Sequence, residues 1–199
     1  MSGGPVSAGS GGSGDTGGTG GIGDAVGCAP HPREFARIQR EASAAGARCV
    51  VGAVLVNPLG EVFLQRRAPH VRLFPGCWDI VGGHVEEGET LCVALAREIA
   101  EETGWRLVRV DGVVDVFDWG GGDGGDGARR REIDVLATVT GDLTRPRIER
   151  DKFVEARWLD AAGLRRLADS STGDTGMIDL ALRGLAMRAP GGSAAPPPR

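Results

Sequence analysis

The chain has 199 residues, with 23 Lys and Arg against 27 Asp and Glu and a formal net charge of −4. This length suits one domain of ordinary size with tails. The charge balance gives no support for a basic nucleic-acid surface or a polybasic membrane patch, and no apolar run approaches the ~20 residues that a membrane-spanning helix needs.

Residues 1–31 are dominated by Gly mixed with Ser, Asp and Thr. They offer almost no apolar side chains to offset the entropy of ordering, so a disordered tail is expected. No basic stretch followed by an apolar one marks a secretory signal there. Residues 189–199, rich in Pro and Gly, read as a second disordered tail, leaving 32–188 as the folded domain.

Pro32 suits a first helical turn, and Phe35, Ile38 and Ala42 share one face, so a helix is expected to about Ala45. Cys49–Val56 is a near-continuous apolar run that stops at the turn signal Asn57-Pro58-Leu59-Gly60. Glu61–Gln65 then alternates, and the two runs together read as a β-hairpin. Arg66 and Arg67 close its second strand. A Pro- and Gly-containing loop leads to a short strand at Trp78–Val81. Leu107–Trp119 and Glu132–Thr140 read as strands around a flexible Gly-rich loop that ends in Arg129-Arg130-Arg131. Phe153–Leu159 is a further short strand. Asp160 can cap a helix carrying Leu164 and Leu167, and Met177–Met187 shows helical spacing of apolar residues. The order of elements predicts an α+β domain. The four cysteines form no Cys-x-x-Cys pair; reduced thiols in a cytoplasmic protein are expected, and zinc is not.

The segment from Gly83 to Trp105 carries the chemistry. Thr90 can cap a helix and Gly104 can end it, which makes about Leu91 to Thr103 helical. At about 100° per residue, Glu98, Glu101 and Glu102 span an arc of roughly 100° that overlaps and adjoins the apolar stripe of Leu91, Leu95 and Ile99. Carboxylates crowded beside a buried stripe repel one another by roughly several kcal/mol. A hard divalent cation removes that repulsion, and carboxylate oxygens with waters are what Mg²⁺ or Mn²⁺ prefers.

The spacing is Gly83, five residues, Glu89, seven residues, Arg97-Glu98-Ile99, one residue, Glu101-Glu102, one residue, Gly104, then the bulky Trp105. This resembles the Nudix box, the signature of the Nudix hydrolase superfamily. Trp105 stands where an aliphatic residue is usual, a departure that concerns packing at the helix exit. A looser resemblance runs from about Cys49 to Leu167 and includes Val154-Glu155-Ala156-Arg157-Trp158-Leu159.

The resemblance implies an α/β/α sandwich around a mixed β-sheet, with the box as loop, helix and loop. It implies hydrolysis of a nucleoside diphosphate-linked small molecule by metal-activated water. Carried onto this chain, Glu98, Glu101 and Glu102 are similar to metal ligands, joined by the Gly82 carbonyl. Arg97 is similar to the arginine that orients the carboxylates. Glu89 resembles the residue that braces loop to helix, between the fixed Gly83 and Gly104. The family's base often comes from a later loop, for which Glu149, Asp151 and Glu155 are candidates beside Glu98.

Arg66 and Arg67 are candidate phosphate contacts, with a surface ion pair the plainer alternative. Trp78 can stack on a base or pack in the core. His84 can act in catalysis or fasten its loop. Three functions compete. They are a nucleotide pyrophosphohydrolase acting on a nucleoside triphosphate or ADP-sugar, an isopentenyl-diphosphate-isomerase-like enzyme suggested by Phe74–Asp79 and Gly82-Gly83-His84, and a non-catalytic nucleotide-binding module. The intact box favours the first. Homodimerisation through the last helix is a further expectation.

Overall fold

A computed structural model of the protein describes residues 31–120, 127–170 and 176–188; the expected tails lie outside these residues. Four strands form a mixed sheet in the order β4 (Val81–His84), β1 (Arg48–Leu55), β6 (Arg129–Thr140), β5 (Arg106–Gly120). β1 and β6 run parallel, and the other neighbours are antiparallel. A second, antiparallel sheet has the order β3 (Trp78–Asp79), β2 (Val62–Arg67), β7 (Phe153–Leu159). Helices α1 (Pro32–Ala44), α2 (Leu91–Thr103), α3 (Ala161–Ser170) and α4 (Gly176–Met187) complete the fold.

Each face of the mixed sheet has its own core, because successive strand residues point to opposite sides. Val51, Ala53, Leu55, Ile133, Val135 and Ala137 pack with Phe35 and Ile38 of α1 and with Leu91, Leu95 and Ile99 of α2. Val54 and Leu136 face the other way, against Ile80, Leu164 of α3 and Ile178 and Leu180 of α4. The result is the α/β/α sandwich around a mixed sheet that the sequence implies.

Two pairings differ from the sequence reading. β1 and β2 do not form a hairpin ladder; they belong to different sheets and meet at a single bridge, Val56 to Val62. β1 is buried on both faces along most of its length. Such a strand is satisfied by two flanking neighbours, here β4 and β6, and the local turn does not choose them. Likewise Trp78–Val81 is not one strand, because Trp78–Asp79 pairs with β2 while Val81–His84 pairs with β1.

The helix limits follow their expected chemistry. Thr90 accepts a hydrogen bond from the Val93 amide, and Gly104 ends α2 at φ +74°, in the left-handed region that a glycine enters without steric cost. Asp160 accepts from the Gly163 amide at the start of α3. Cys49 and Cys77 are free thiols. Cys92 is disulfide-bonded, which corrects the expectation of reduced cysteines.

Trp105 is the largest fully buried side chain at the exit of α2. Its ring meets Phe63 edge-on with centroids 4.8 Å apart and stacks on Trp158 at 5.4 Å, and its indole N–H donates to the Asp142 carbonyl at 2.9 Å. This cluster joins α2 to the second sheet, so the bulky residue at the box exit acts as a bolt between layers. Trp105→Ala is expected to destabilise the domain by about 3–5 kcal/mol, read as a lower midpoint in urea unfolding. A midpoint unchanged in the variant would show that the cluster does not hold the layers together.

Candidate active site

The segment between β4 and α2 is tied down by one guanidinium. Arg97 Nε donates to Glu89 at 2.9 Å and Nη2 donates to the other Glu89 oxygen at 3.0 Å, a two-pronged pair. Its Nη2 also reaches the His84 carbonyl at 3.0 Å, and its Nη1 donates to Glu98 at 2.8 Å and Glu101 at 3.1 Å. Glu89 in turn accepts from the Glu86 amide. The Arg97 hydrogen bonds hold the Glu89 carboxyl below its ordinary range. Loop, helix and three carboxylates thus share a single cation.

Two of the three crowded carboxylates are buried. Glu98 is 6% exposed and Glu102 2%. Glu98 sits against β4 where Gly83 lacks a side chain; a Cβ there would lie 2.2 Å from Glu98 Oε1. Glu102 accepts from Gln65 Nε2 of β2 at 2.9 Å and from the Gly82 amide at 3.3 Å. Burial raises the acid strength threshold of both. Glu102 is pushed up to about 8, with the neighbouring charges of Glu98 and Asp79 adding to the effect and Lys152 opposing it. Glu98 is raised by burial against the opposing pull of Arg97. Glu101, by contrast, is half-exposed and held by Arg97.

These side chains border a cavity of about 430 Å³. Its walls include Glu98, Glu102, Gly82, Gly83, Lys152 and Arg67 together with Glu132, Trp119 and Phe74. Among the described residues, no three His, Cys, Asp or Glu side chains converge as a ready metal cage. The donor set nevertheless fits a hard cation. Glu98 and Glu102 are adjacent buried carboxylates whose mutual repulsion a cation would relieve, and backbone stripped of side chains at Gly82-Gly83 leaves room beside them.

Other sequence candidates fall in and out of this site. Arg67 lines the cavity and donates to Asp79 at 3.0 Å and to the Leu73 carbonyl at 2.8 Å. Arg66 instead points to Glu155 at 3.8 Å. Glu155 also binds Arg157, and Glu149 pairs with Lys152 at 2.6 Å. Asp151 accepts from His70 through its backbone carbonyl at 3.1 Å. None of Glu149, Asp151 and Glu155 lines the cavity. Trp78 is buried in the core of the α3–α4 side while also lining the cavity, with Arg157 over its ring. The His84 ring meets Arg130 at 3.2 Å. Arg129 and Arg131 both bind Asp118.

Sequence reasoning missed four residues here. Lys152 lines the cavity and its charge acts on Glu98 and Glu102, Asp79 of β3 lines it as well, and Gln65 of β2 donates to Glu102. Asp134 of β6 is fully buried, and both of its carboxyl oxygens lack a hydrogen-bond partner. Burial drives its acid strength threshold far up, and the charges of Glu132, Asp79 and Asp115 add to the effect. A single acidic residue interrupting the largely apolar Ile133–Val139 run is the one signal for it.

With the fold and this geometry in hand, relatives are informative. The NUDIX domain family model matches residues 47–179, and the chain belongs to the Nudix family. An uncharacterized Nudix hydrolase of Nostoc is 50% identical over 54 residues, 27% of this chain and 32% of that one. The Xenopus laevis protein named m7GpppN-mRNA hydrolase is 44% identical over 80 residues, 40% of this chain and 27% of that one. The alignments span about a third of these curated relatives or less. Among solved structures, the MutT NUDIX hydrolase of Burkholderia pseudomallei is 30% identical with a TM-score of 0.52, over 69% of this chain and 97% of that one.

The Asp134 environment predicts a pH-dependent stability. Its folded-state value is raised, so the native state keeps a proton that the unfolded chain loses at about pH 3.9. The associated stability is full below that pH and is lost as pH rises toward the folded value. Asp134→Asn removes this loss. The variant is expected to melt increasingly above the parent as pH goes from 5 to 8 in calorimetric scans. A difference constant across that range would show that Asp134 is not held neutral.

Proposed function

We propose that this protein hydrolyses a nucleoside diphosphate-linked small molecule, of the nucleoside triphosphate or ADP-sugar type, with Mg²⁺ as its metal and Mn²⁺ as a substitute. The observation that carries the reading is the buried Glu98–Glu102 pair, braced by Arg97, Gln65 and the Gly82 amide and facing Lys152 across one cavity.

In this reading Glu98 and Glu102 hold the metal, with Glu101 and the Gly82 carbonyl joining them. A bound Mg²⁺ would neutralise phosphoryl oxygens and make a coordinated water acidic. Arg97 aims Glu98 and Glu101, and its hydrogen bond favours the charged form of Glu98 against the burial that raises it. Lys152 and Arg67 are placed to meet the negative diphosphate as it enters. Glu98 is the better candidate for accepting the water's proton, because it lines the cavity and Glu149, Asp151 and Glu155 do not.

The name of the Xenopus relative extends the range of plausible substrates to a nucleotide cap, whose phosphate bridge presents the same chemistry. A binding module without turnover would not need both carboxylates buried side by side, at the cost that burial imposes on them. A cytoplasmic setting accords with such substrates.

The test is turnover of a panel of nucleoside triphosphates, dinucleotides and ADP-sugars, with products followed by phosphorus NMR. Mg²⁺-dependent cleavage is expected, with Glu102→Gln and Glu101→Gln losing roughly 10²-fold or more in kcat, the scale seen when groups that stabilise developing charge are removed. Full turnover in both variants would sink the metal assignment, and a parent that cuts no diphosphate would favour the binding module.

A further inference from the structure

Helix α1 lies before residues 47–179, which the family model matches, yet it is fastened to the segment that carries the site. Phe35, Ile38 and Ala42 bury one face of α1, and Phe35 and Ile38 share a core with Leu91 and Leu95 of α2. Gln39 follows Ile38 at the border of that face and is half-buried. Its side-chain amide reaches the start of α2. Nε2 donates to the Glu89 carbonyl at 2.7 Å, and Oε1 accepts from the Leu91 amide at 3.2 Å. The two targets flank the Thr90 cap, one an acceptor and one a donor, so a single orientation of the Gln39 amide satisfies both.

Both targets need a partner from another element. The Leu91 amide is one of those at a helix N-terminus that have no intrahelical carbonyl. Leu91 has no exposure, and the Thr90 hydroxyl already serves the Val93 amide. A lost partner there leaves a buried donor unpaired. The turn from Glu86 to Glu89 closes on itself, with the Glu89 amide donating to the Glu86 carbonyl and the Glu86 amide donating to the Glu89 carboxylate. Neither bond uses the Glu89 carbonyl, which accepts from Gln39.

Holding that carbonyl holds the residue on which Arg97 rests. The Glu89 carboxylate takes the Nε and Nη2 donors of Arg97, while Nη1 reaches Glu98 and Glu101. A guanidinium is planar and rigid. A tilt of the Glu89 turn is therefore passed across the fork to the carboxylates on the other side. Gln39 is not among the residues lining the cavity, so any effect it has on the site travels through Glu89 and Arg97.

We propose that Gln39 is a positioning residue of the site: its amide pins the Glu89 turn from α1, and Arg97 carries that restraint to Glu98 and Glu101. The inference rests on the functional reading above for what the carboxylates hold, and it adds an element outside the matched family region to the machinery. Groups behind metal ligands set metal affinity over about 10- to 100-fold. The lower figure is expected for a group that acts through Glu89 and Arg97. The two Gln39 bonds divide the work: the one from Leu91 completes the helix N-terminus and contributes stability, and the one to Glu89 aims the site.

The test uses two variants of the full chain. Gln39→Met keeps the length of the side chain and removes both bonds. Gln39→Glu keeps an acceptor for the Leu91 amide, beside the positive end of α2, but has no donor for the Glu89 carbonyl. Two readouts follow the site. One is hydrogen exchange of the Arg97 Nε–H in metal-free protein, its NMR resonance identified by loss in Arg97→Lys. The other is the dissociation constant for Mn²⁺ alone, from the electron paramagnetic resonance of the free ion. Gln39→Met is expected to exchange faster at Arg97 and to bind Mn²⁺ about 10-fold more weakly. Gln39→Glu should melt at a higher temperature than Gln39→Met while keeping its fast exchange and weak Mn²⁺ binding. Parent-like exchange or parent-like Mn²⁺ affinity in folded Gln39→Met would overturn the proposal. Recovery of both in Gln39→Glu would do so too, leaving Gln39 as a helix cap and nothing more. A parent that takes up no Mn²⁺ counts against the hydrolase reading instead. The Arg97 exchange then decides alone: faster exchange in both variants upholds the restraint, and unchanged exchange removes it.

Discussion

The Arg97 guanidinium is the constraint from which the site follows. It makes five donor contacts, to Glu89 twice, Glu98, Glu101 and the His84 carbonyl. Four of these end on carboxylates that would otherwise repel, and one ends on the strand that precedes the loop. A planar fork distributes its bonds in fixed directions, which a lysine ammonium cannot do. The loop after β4 is therefore locked to α2 by geometry as well as by charge. The carboxylates that face the cavity stay oriented because their neighbours are held.

The second constraint is backbone without side chains. Gly52 pairs with Gly82, and Gly83 pairs with Val51 next to it. Glu98 occupies the space that a side chain at Gly83 would need, and Asp134 occupies the space at Gly52. The sheet is thus opened at neighbouring points, once toward α2 and once toward α4, and a carboxyl enters each gap. The same device lets α4 approach β1, since a Cβ at Gly184 would lie 2.8 Å from Val54. Glycines here set the distances between layers and the positions of the acids together.

How much of this could be read from the chain depends on the range of the interaction. The helix from Leu91 to Thr103, its Thr90 cap and its Gly104 stop depend on residues a few positions apart, and they appear as the spacing implies. So does the side of the helix that buries Glu98 and Glu102. Glu101 was grouped with them by its arc, yet its half-exposed position comes from where β4 ends and Arg97 reaches, which no helical periodicity encodes. The hairpin read from Asn57–Gly60 failed for a similar reason. A strand buried on both faces takes the partners that close the core, and β1 found β4 and β6 far along the chain. Lys152, Gln65 and Asp79 could not be assigned, because each is unremarkable in its own segment and meets the site only through the second sheet.

Asp134 shows what sequence can still signal when location is hidden. Glu132, Ile133, Asp134 and Val135 alternate acid and hydrocarbon on a strand with both faces covered. Alternation of that kind ordinarily marks a strand with one face in water. In this fold the second face is covered as well, with Glu132 at the cavity wall and Asp134 fully enclosed beside it. Folding must then accept buried carboxyls on both sides of one sheet, Glu98 and Glu102 toward α2 and Asp134 on the other. The hydrophobic layers under α1–α2 and α3–α4, together with the Phe63–Trp105–Trp158 cluster, supply the burial that offsets them. Stability and polarity are divided by position along the same strands: apolar pairs such as Val54 and Leu136 hold the layers, and two residues earlier on each strand Gly52 and Asp134 interrupt the hydrocarbon packing. A sequence optimised for stability alone would place hydrocarbon where Asp134 stands.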